Sequence, residues 1–451
     1  MNKKPGTLRI GAGSSFADDR IVPAVELAER GELDYLVFEC LAERTVAREN
    51  QTRVKDPTKG YTPRLAERMN AVLRPCVANN TRIVTNMGAA NPVGAAKEVR
   101  RVAADLGLAS VACTVVTGDD VTEILRKRPE LPLMESGLLL ETLIPRMASA
   151  NAYLGADVVC RALKTNAQIV ITGRVADPSL FLAPAIHHFG WNYADWDKLA
   201  VGTTVGHLLE CCAQVSGGCF ADPVNKPVHD LARLGFPFAD FDADGTVSIS
   251  KLAGTGGRID RATCTEQLIY ELHDPANYIT PDCVLDVTDL EFAEIGKDRV
   301  TFSGARAKPR TPTYKVTVGY TDGYIGEGQI SYAGINAVAK ARWAAEIVQQ
   351  RLRDRGFEYS EWRVDLIGMT SLHRDVGPRP EPYEVRLRLA ARTDSRKAAE
   401  AVGFETRALH VNGPAGSAGG SDPVVKEVLA VQSVLIPRSM VDRQVEIVEV
   451  K

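Results

Sequence analysis

Across roughly the first 190 residues, short runs rich in β-branched residues alternate with amphipathic stretches at helical spacing, and this alternation limits the fold more than any other feature. Such a pattern predicts βαβ units around a parallel sheet. Residues 8–10, 35–38, 82–85, 110–116 and 168–171 read as strands, with helical patterns such as 21–30 and 92–106 between them. Crossovers between parallel strands are right-handed, so helices are expected on both faces. The expected class is α/β, a doubly wound, mainly parallel sheet.

The turns between strand and helix repeat one kind of chemistry. Asn91-Pro92 and Asp177-Pro178 each offer a capping oxygen followed by proline at the first helical position, and Asp18-Asp19 and Asp119-Asp120 precede the other helices. These polar turns belong at the carboxyl ends of the strands, the edge where open α/β sheets bind ligands. A helix is expected over 199–214, followed by a Gly/Pro-rich region to Gly257 whose alternation is too weak to assign. Three β-rich runs follow at 284–287, 299–302 and 314–318, then a long helix over 336–355 closed by Gly356. That glycine marks the expected boundary between a domain over 1–358 and a smaller α+β domain over 359–451. The smaller domain holds strand-like runs at 363–367, 383–389 and 445–450 and a helical pattern at 395–402.

Composition narrows the class of function. The 451 residues are 45% hydrophobic and 25% charged with a net charge of −3, so nothing marks a disordered chain or a basic surface for nucleic acid or anionic lipid. Met1-Asn2-Lys3-Lys4-Pro5-Gly6 leads into a run too short for a signal peptide, and no stretch reaches membrane-spanning length. Nine scattered cysteines contain no Cys-x-x-Cys pair, which argues against a disulfide framework and for a reducing cytoplasm. The expected partners are small molecules, with no nucleic acid and no membrane. A homo-oligomer is expected because symmetric self-association is common among soluble enzymes.

Several motifs carry candidate chemistry. Gly11-Ala12-Gly13-Ser14-Ser15-Phe16 follows the first strand as a dinucleotide fingerprint would, and Glu39 stands where a ribose-binding acid belongs, but Phe16 replaces the third glycine and argues against NAD(P). In Thr85 to Pro92, Asn86, Gly88 and Asn91 sit ahead of a helix N-terminus that attracts a carboxylate or phosphate. Thr172 to Ser179 adds Arg174, able to grip such an anion in a bidentate fork, and Ser179 in the first helical turn. The structural alternative pairs Arg174 with a nearby Asp and leaves Asp177 as a cap. His207, Glu210 and Gln214 share one helical face, an arrangement suited to acid/base work or to two ligands of a divalent metal, with Asp222 a candidate third. A solvated helix face or a buried histidine satisfied by Glu210 is the plainer alternative. Gly256 and Gly257 lie in a glycine-rich loop that could bring backbone N–H groups onto a phosphate, while the loop from Gly413 to Ser421 reads as flexible connection.

Together these segments resemble the acyclic terpene utilisation (AtuA-type) family. The resemblance rests on Phe16-Ala17-Asp18-Asp19-Arg20, Glu39-Cys40-Leu41-Ala42-Glu43-Arg44-Thr45, Asn86-Met87-Gly88-Ala89-Ala90-Asn91-Pro92, Gly173-Arg174-Val175-Ala176-Asp177-Pro178-Ser179, Gly206-His207-Leu208-Leu209-Glu210 and Gly326-Glu327-Gly328-Gln329-Ile330-Ser331-Tyr332-Ala333-Gly334. It runs to about residue 355, and the region after 360 is similar to the ferredoxin-like domain that accompanies some members. The resemblance implies a role in bacterial breakdown of acyclic terpenoids such as citronellol and geraniol, through acyl-CoA carboxylation and hydration. It carries over a place in metabolism and no catalytic residue. Cys211 and Cys212 stand where the family often has glycine, and Cys219 where it has tyrosine, which argues against a shared thiol mechanism.

The reading that combines these features is a catabolic enzyme acting on a carboxylate or acyl-CoA by hydration, dehydration or isomerisation. Arg174 and the turn from Asn86 to Asn91 would hold the anion, His207 and Glu210 would move protons, and Asp18 or Asp177 would orient groups or help bind metal. The alternative is a non-catalytic ligand-binding protein, or a subunit completed by a small protein partner.

Overall fold

The computed structural model describes residues 3–242, 244–374, 376–377 and 380–450; Met1 and Asn2 of the N-terminal reading lie outside them. The chain divides into two compact units, one running to Gly319 and resuming at Val431, the other spanning Tyr320–Ala430. The expected boundary at Gly356 therefore falls inside the second unit. Helix Ala337–Asp354 buries Ala341, Ala344 and Val348 in one core with Leu366, Leu387 and Leu409, residues from both sides of that glycine.

Among the described residues the large sheet of the first unit holds ten strands. Its middle follows the alternation seen in the sequence: Leu8–Ser14, Tyr35–Phe38, Arg82–Thr85, Ile169–Thr172 and Cys113–Thr117 lie side by side in that order, all parallel. Consecutive residues Leu36, Val37 and Phe38 are all buried, as are Val170 and Ile171, so both faces of these strands are covered. The outer strands correct the expectation of a mainly parallel, doubly wound sheet. Pro237–Phe241, Val247–Lys251, Arg299–Ser303 and Glu291–Gly296 extend one side and Glu446–Val450 the other, every added pairing antiparallel. The cause is connection length: Phe241 and Val247, like Gly296 and Arg299, stand too close in sequence for a parallel crossover.

Polar residues obscured two of these strands in the sequence. Asp240 is buried in Pro237–Phe241 because the buried Arg9 guanidinium, 2.6 Å away and stacked 4.4 Å from the Phe238 ring, compensates it. Asn91 caps helix Pro92–Asp105 as expected, its Oδ1 accepting the Gly94 N–H at 3.0 Å. Asp177 does not cap its helix. Ala176 holds the cap position of Asp177–Phe189 without a side-chain bond, which leaves the Asp177 carboxylate for other partners. Helix Trp196–Glu210 packs on Asp177–Phe189 at very short range, since a Cβ on Gly206 would meet the Pro178 Cα and carbonyl oxygen at 2.5 Å.

By itself, the second unit runs from the later part of strand Thr313–Ala333 through helix Ala337–Asp354, strands Glu361–Ile367 and Glu384–Thr393, and helix Arg396–Asn412 into strand Val424–Pro437. Glu384–Thr393 lies between Glu361–Ile367 and Thr313–Ala333, antiparallel to both. The closing strand Glu446–Val450 belongs to the first unit's sheet instead. Among the described residues no helix is long and apolar enough to cross a membrane.

Candidate active site

The carboxyl ends of the parallel strands bring four polar residues together. Glu39 follows Tyr35–Phe38, Asn86 follows Arg82–Thr85, Asp119 follows Cys113–Thr117 and Arg174 follows Ile169–Thr172. All four are buried. Asn86 spans two chain ends: its Oδ1 accepts the Cys40 N–H at 2.8 Å and its Nδ2 donates to Glu39 Oε1 at 2.9 Å. Glu39 Oε1 also accepts the Leu41 N–H at 2.7 Å, so this oxygen is held by protein donors rather than offered to a ribose. Asp119 accepts the Arg174 N–H and the Asn151 amide, each at 2.9 Å, and fixes the loop from which Arg174 projects.

Arg174 is only 1% exposed. Its guanidinium donates to the carbonyls of Leu41 and Val175 and to the Asp177 carboxylate, and it lies 4.5 Å from the Tyr153 ring centre. The fork expected to grip an anion thus holds groups of the protein.

Asp177 also neighbours Glu39, and the two carboxyls act on each other electrostatically. Burial, reinforced by the Asp177 charge, pushes the Glu39 carboxyl up to about 8. Burial raises Asp177 as well, against the pull of Arg174. Two neighbouring carboxyls resist double ionisation. The Glu39 carboxyl therefore keeps a proton near neutral pH, while the Asp177 side chain, 33% exposed, reaches the cavity.

A second acid/base pair stands nearby on the helix that Gly206 lets approach. His207 Nε2 is 2.9 Å from the Leu268 carbonyl, which only accepts, so that nitrogen carries hydrogen. His207 Nδ1 is 2.9 Å from Glu210 Oε1. Burial alone would lower the imidazole, but the Glu210 charge and hydrogen bond raise it; burial lifts Glu210 to about 7 against the pull of His207. One proton is shared along this contact. The other oxygen, Glu210 Oε2, is buried without a hydrogen-bond partner.

Both pairs open on a cavity of about 330 Å³ whose wall carries the carboxyls of Glu43, Asp177, Glu210 and Glu271, with Lys315 and Tyr278. Burial would raise Glu43, yet the hydrogen bond from the Tyr153 hydroxyl at 2.5 Å and the Arg174 and Lys315 charges hold it at about 2. The Tyr278 ring packs 5.1 Å from the His207 ring, and burial beside Glu210 and Asp177 pushes its hydroxyl far above the usual phenol range. Glu43, Tyr153, Tyr278 and Glu271 carried no role in the sequence reading. Glu43 stands in a quoted segment, and only the shared use of the cavity wall singles out the others.

The remaining candidates lie apart from the cavity wall. Ser179 donates to the buried Asp282 at 2.5 Å, and Asn91 Nδ2 donates to the carbonyls of Pro57 and Lys59. Gly88 serves a close approach, since a Cβ there would meet the Thr172 carbonyl oxygen at 2.5 Å. The N–H groups of Gly256 and Gly257 donate to the carbonyls of Arg233 and His229. Asp19 holds its own turn through Ser15 and Arg20, and Asp18 is exposed beside it. Asp222 accepts the N–H groups of Val224 and Asn225, and Gln214 sits in the one-turn helix Cys212–Gln214. Gly11 and Gly13, read for a nucleotide turn, lie within strand Leu8–Ser14, where a Cβ would strike Leu33 and Phe38.

Both ring nitrogens of His207 have partners, and among the described residues no group of three or more His, Cys, Asp or Glu side chains is arranged to hold a metal ion. Burial pushes the Cys211 and Cys212 thiols far up, away from the thiolate a nucleophile needs. What the cavity offers is one carboxyl raised to about 7, Glu210, and a second raised by burial, Asp177, on a mixed polar and apolar wall.

The family model described as acyclic terpene utilisation family protein AtuA matches residues 8–447. No curated protein matches the chain.

Proposed function

The chain belongs to the acyclic terpene utilisation family AtuA, and from that premise we propose that it is an acid/base enzyme of acyclic terpenoid breakdown, adding or removing water or moving a double bond in an unsaturated acyl-CoA intermediate. The observation that carries this reading is the convergence of two neighbouring acid/base pairs, Glu39 with Asp177 and the hydrogen-bonded His207 with Glu210, on one cavity. A group that must both give and take protons works best when it titrates near the working pH, and carboxyls raised to about 8 and about 7 meet that condition.

The substrate class follows from charge. Among the described lining residues the one cation, Lys315, is already paired with Glu43, so a free carboxylate finds no counter-charge there, whereas the neutral acyl part of a thioester needs none. We therefore favour an acyl-CoA over a free acid. Arg174 acts in this reading by orienting Asp177. In the second unit, the strand, helix, strand, strand, helix, strand order supports a ferredoxin-like arrangement. A cytoplasmic homo-oligomer, with or without a small protein partner, is the assembly consistent with this role.

The test is incubation with the coenzyme A thioester of geranic acid in deuterium oxide, read by mass spectrometry. Deuterium uptake or hydration is expected, reduced about 100-fold or more in Asp177→Asn and Glu210→Gln, the usual weight of a positioned acid or base. Binding of the thioester with neither uptake nor turnover overturns the enzyme reading in favour of a ligand-binding protein or an incomplete subunit.

A further inference from the structure

We propose that the group reacting in this cavity is an isolated trisubstituted carbon–carbon double bond, protonated to a tertiary cation, rather than the carbon next to the thioester carbonyl. The inference rests on the acid/base reading above and names the part of the substrate on which that chemistry falls.

The wall is arranged for positive charge. Glu43, Asp177, Glu210 and Glu271 face Lys315, whose Nζ is 3.4 Å from Glu43 and is matched by it. Glu210 Oε2 is buried without a partner, so an electropositive centre beside it would complete its interactions. Aromatic rings around the cavity already hold cations: Tyr153 lies 4.5 Å from the Arg174 guanidinium carbon and 5.0 Å from Lys315 Nζ, and Tyr314 lies 3.9 Å from Arg438. Tyr278 adds a ring on the same wall, backed by His207. An enolate forming at the thioester carbonyl would find no free counter-charge, since among the described lining residues the one cation, Lys315, is already paired with Glu43.

The steps balance within the residues present plus water. The π electrons of the double bond take the proton from the Asp177 carboxyl, raised by its burial, with the neighbouring Glu39 carboxyl as the proton reserve behind it. A C–H bond forms, an O–H bond breaks, and positive charge remains on the more substituted carbon. Water then bonds to that carbon through oxygen, and its surplus proton passes to Glu210 Oε2. The sum is hydration, and the reverse is dehydration. If Glu210 instead removes a proton from a neighbouring carbon, the double bond moves. One cation thus serves both reaction classes, and solvent returns the proton from Glu210 to the Glu39–Asp177 pair.

Two measurements test this. In the deuterium experiment, the geranic thioester carries both a conjugated and a remote double bond, and the label is expected at the remote one. Label confined to carbons conjugated with the thioester overturns the proposal while leaving the acid/base reading intact; no label anywhere overturns both. Independently, calorimetry compares protonated N,N-dimethylhexylamine with octanoate on the full chain. The ammonium ion is expected to bind about tenfold or more tightly, the scale of one desolvated cation–π contact. Glu271→Gln, at an exposed position that should not disturb folding, is expected to weaken the amine about threefold and leave octanoate unaffected or improved. Equal or tighter octanoate binding overturns the proposal.

Discussion

At the scale of single residues, Glu39 makes the site sensitive to pH. Its carboxyl rises from 4.5 to about 8 in the folded chain, so between those values the native state holds a proton that the unfolded state has released. Stability must fall as pH climbs through that window and level off above it, and the upward shifts of Asp177 and His207 act in the same direction. Thermal melts at about pH 5 and about pH 8 should show a lower midpoint at the higher pH, with a smaller difference in Glu39→Gln. A flat wild-type profile would remove the protonated pair. Arg174→Ala leaves Asp177 and two carbonyls without their donor, and should cost about 3–5 kcal/mol in urea unfolding, the range for a broken buried pair. Arg174→Lys should recover only part of it, since an ammonium cannot reproduce the planar fork. The sequence singled out Glu39, Asn86, Arg174, Asp177, His207 and Glu210, because strand ends and helical spacing bring them forward. It was silent on Tyr278, in a two-residue strand, and on Tyr153, just past a strand without alternation, since no local period marks a cavity wall.

At the scale of elements, the contact between helices Asp177–Phe189 and Trp196–Glu210 sets the distance between the two acid/base pairs. Gly206 makes that approach possible, so its substitution tests the geometry without touching a titrating group. Gly206→Ala pushes a methyl group into the Pro178 backbone and should destabilise by about 1–3 kcal/mol, the cost of overpacking. It should also lower deuterium uptake while leaving the ionisable groups intact. Unchanged uptake with the destabilisation present would show that the spacing is not critical. The same element pair shows what periodicity could and could not reveal. Asn91-Pro92 read correctly as a cap, whereas the identical logic failed at Asp177-Pro178, because a buried guanidinium competes for the carboxylate more strongly than backbone N–H groups do. Pro237–Phe241 and Val247–Lys251 escaped for a related reason: Asp240 and Lys251 are buried with ionic partners, and buried charge erases the alternation that identifies a strand.

At the scale of the whole molecule, local pattern recovers the parallel strands because each lies near its crossover helix, but it cannot say which distant strand completes the sheet. The terminal strand Glu446–Val450 reads in sequence as part of a small C-terminal domain, yet it pairs residue for residue with Cys113–Thr117, Ile447 opposite Val116 and Glu449 opposite Thr114. The chain thus leaves the first unit, builds a second over Tyr320–Ala430, and returns to close the edge of the first. That return has a measurable consequence. Cys113, Thr114, Val115 and Val116 are all buried, so a chain ending at Val445 would present an apolar strand edge with unpaired N–H and carbonyl groups, the template on which sheets associate. Such a truncation should lower the thermal midpoint of the first unit and produce concentration-dependent association by light scattering. Adding charge to the bared edge with Val115→Lys would not separate the two effects, because Val115 points into the core. Supplying the 446–451 peptide in excess would, since strand addition restores the pairing. Recovery of the monodisperse state by that peptide marks the edge itself as the cause; association that persists with the peptide bound would place the defect elsewhere in the fold.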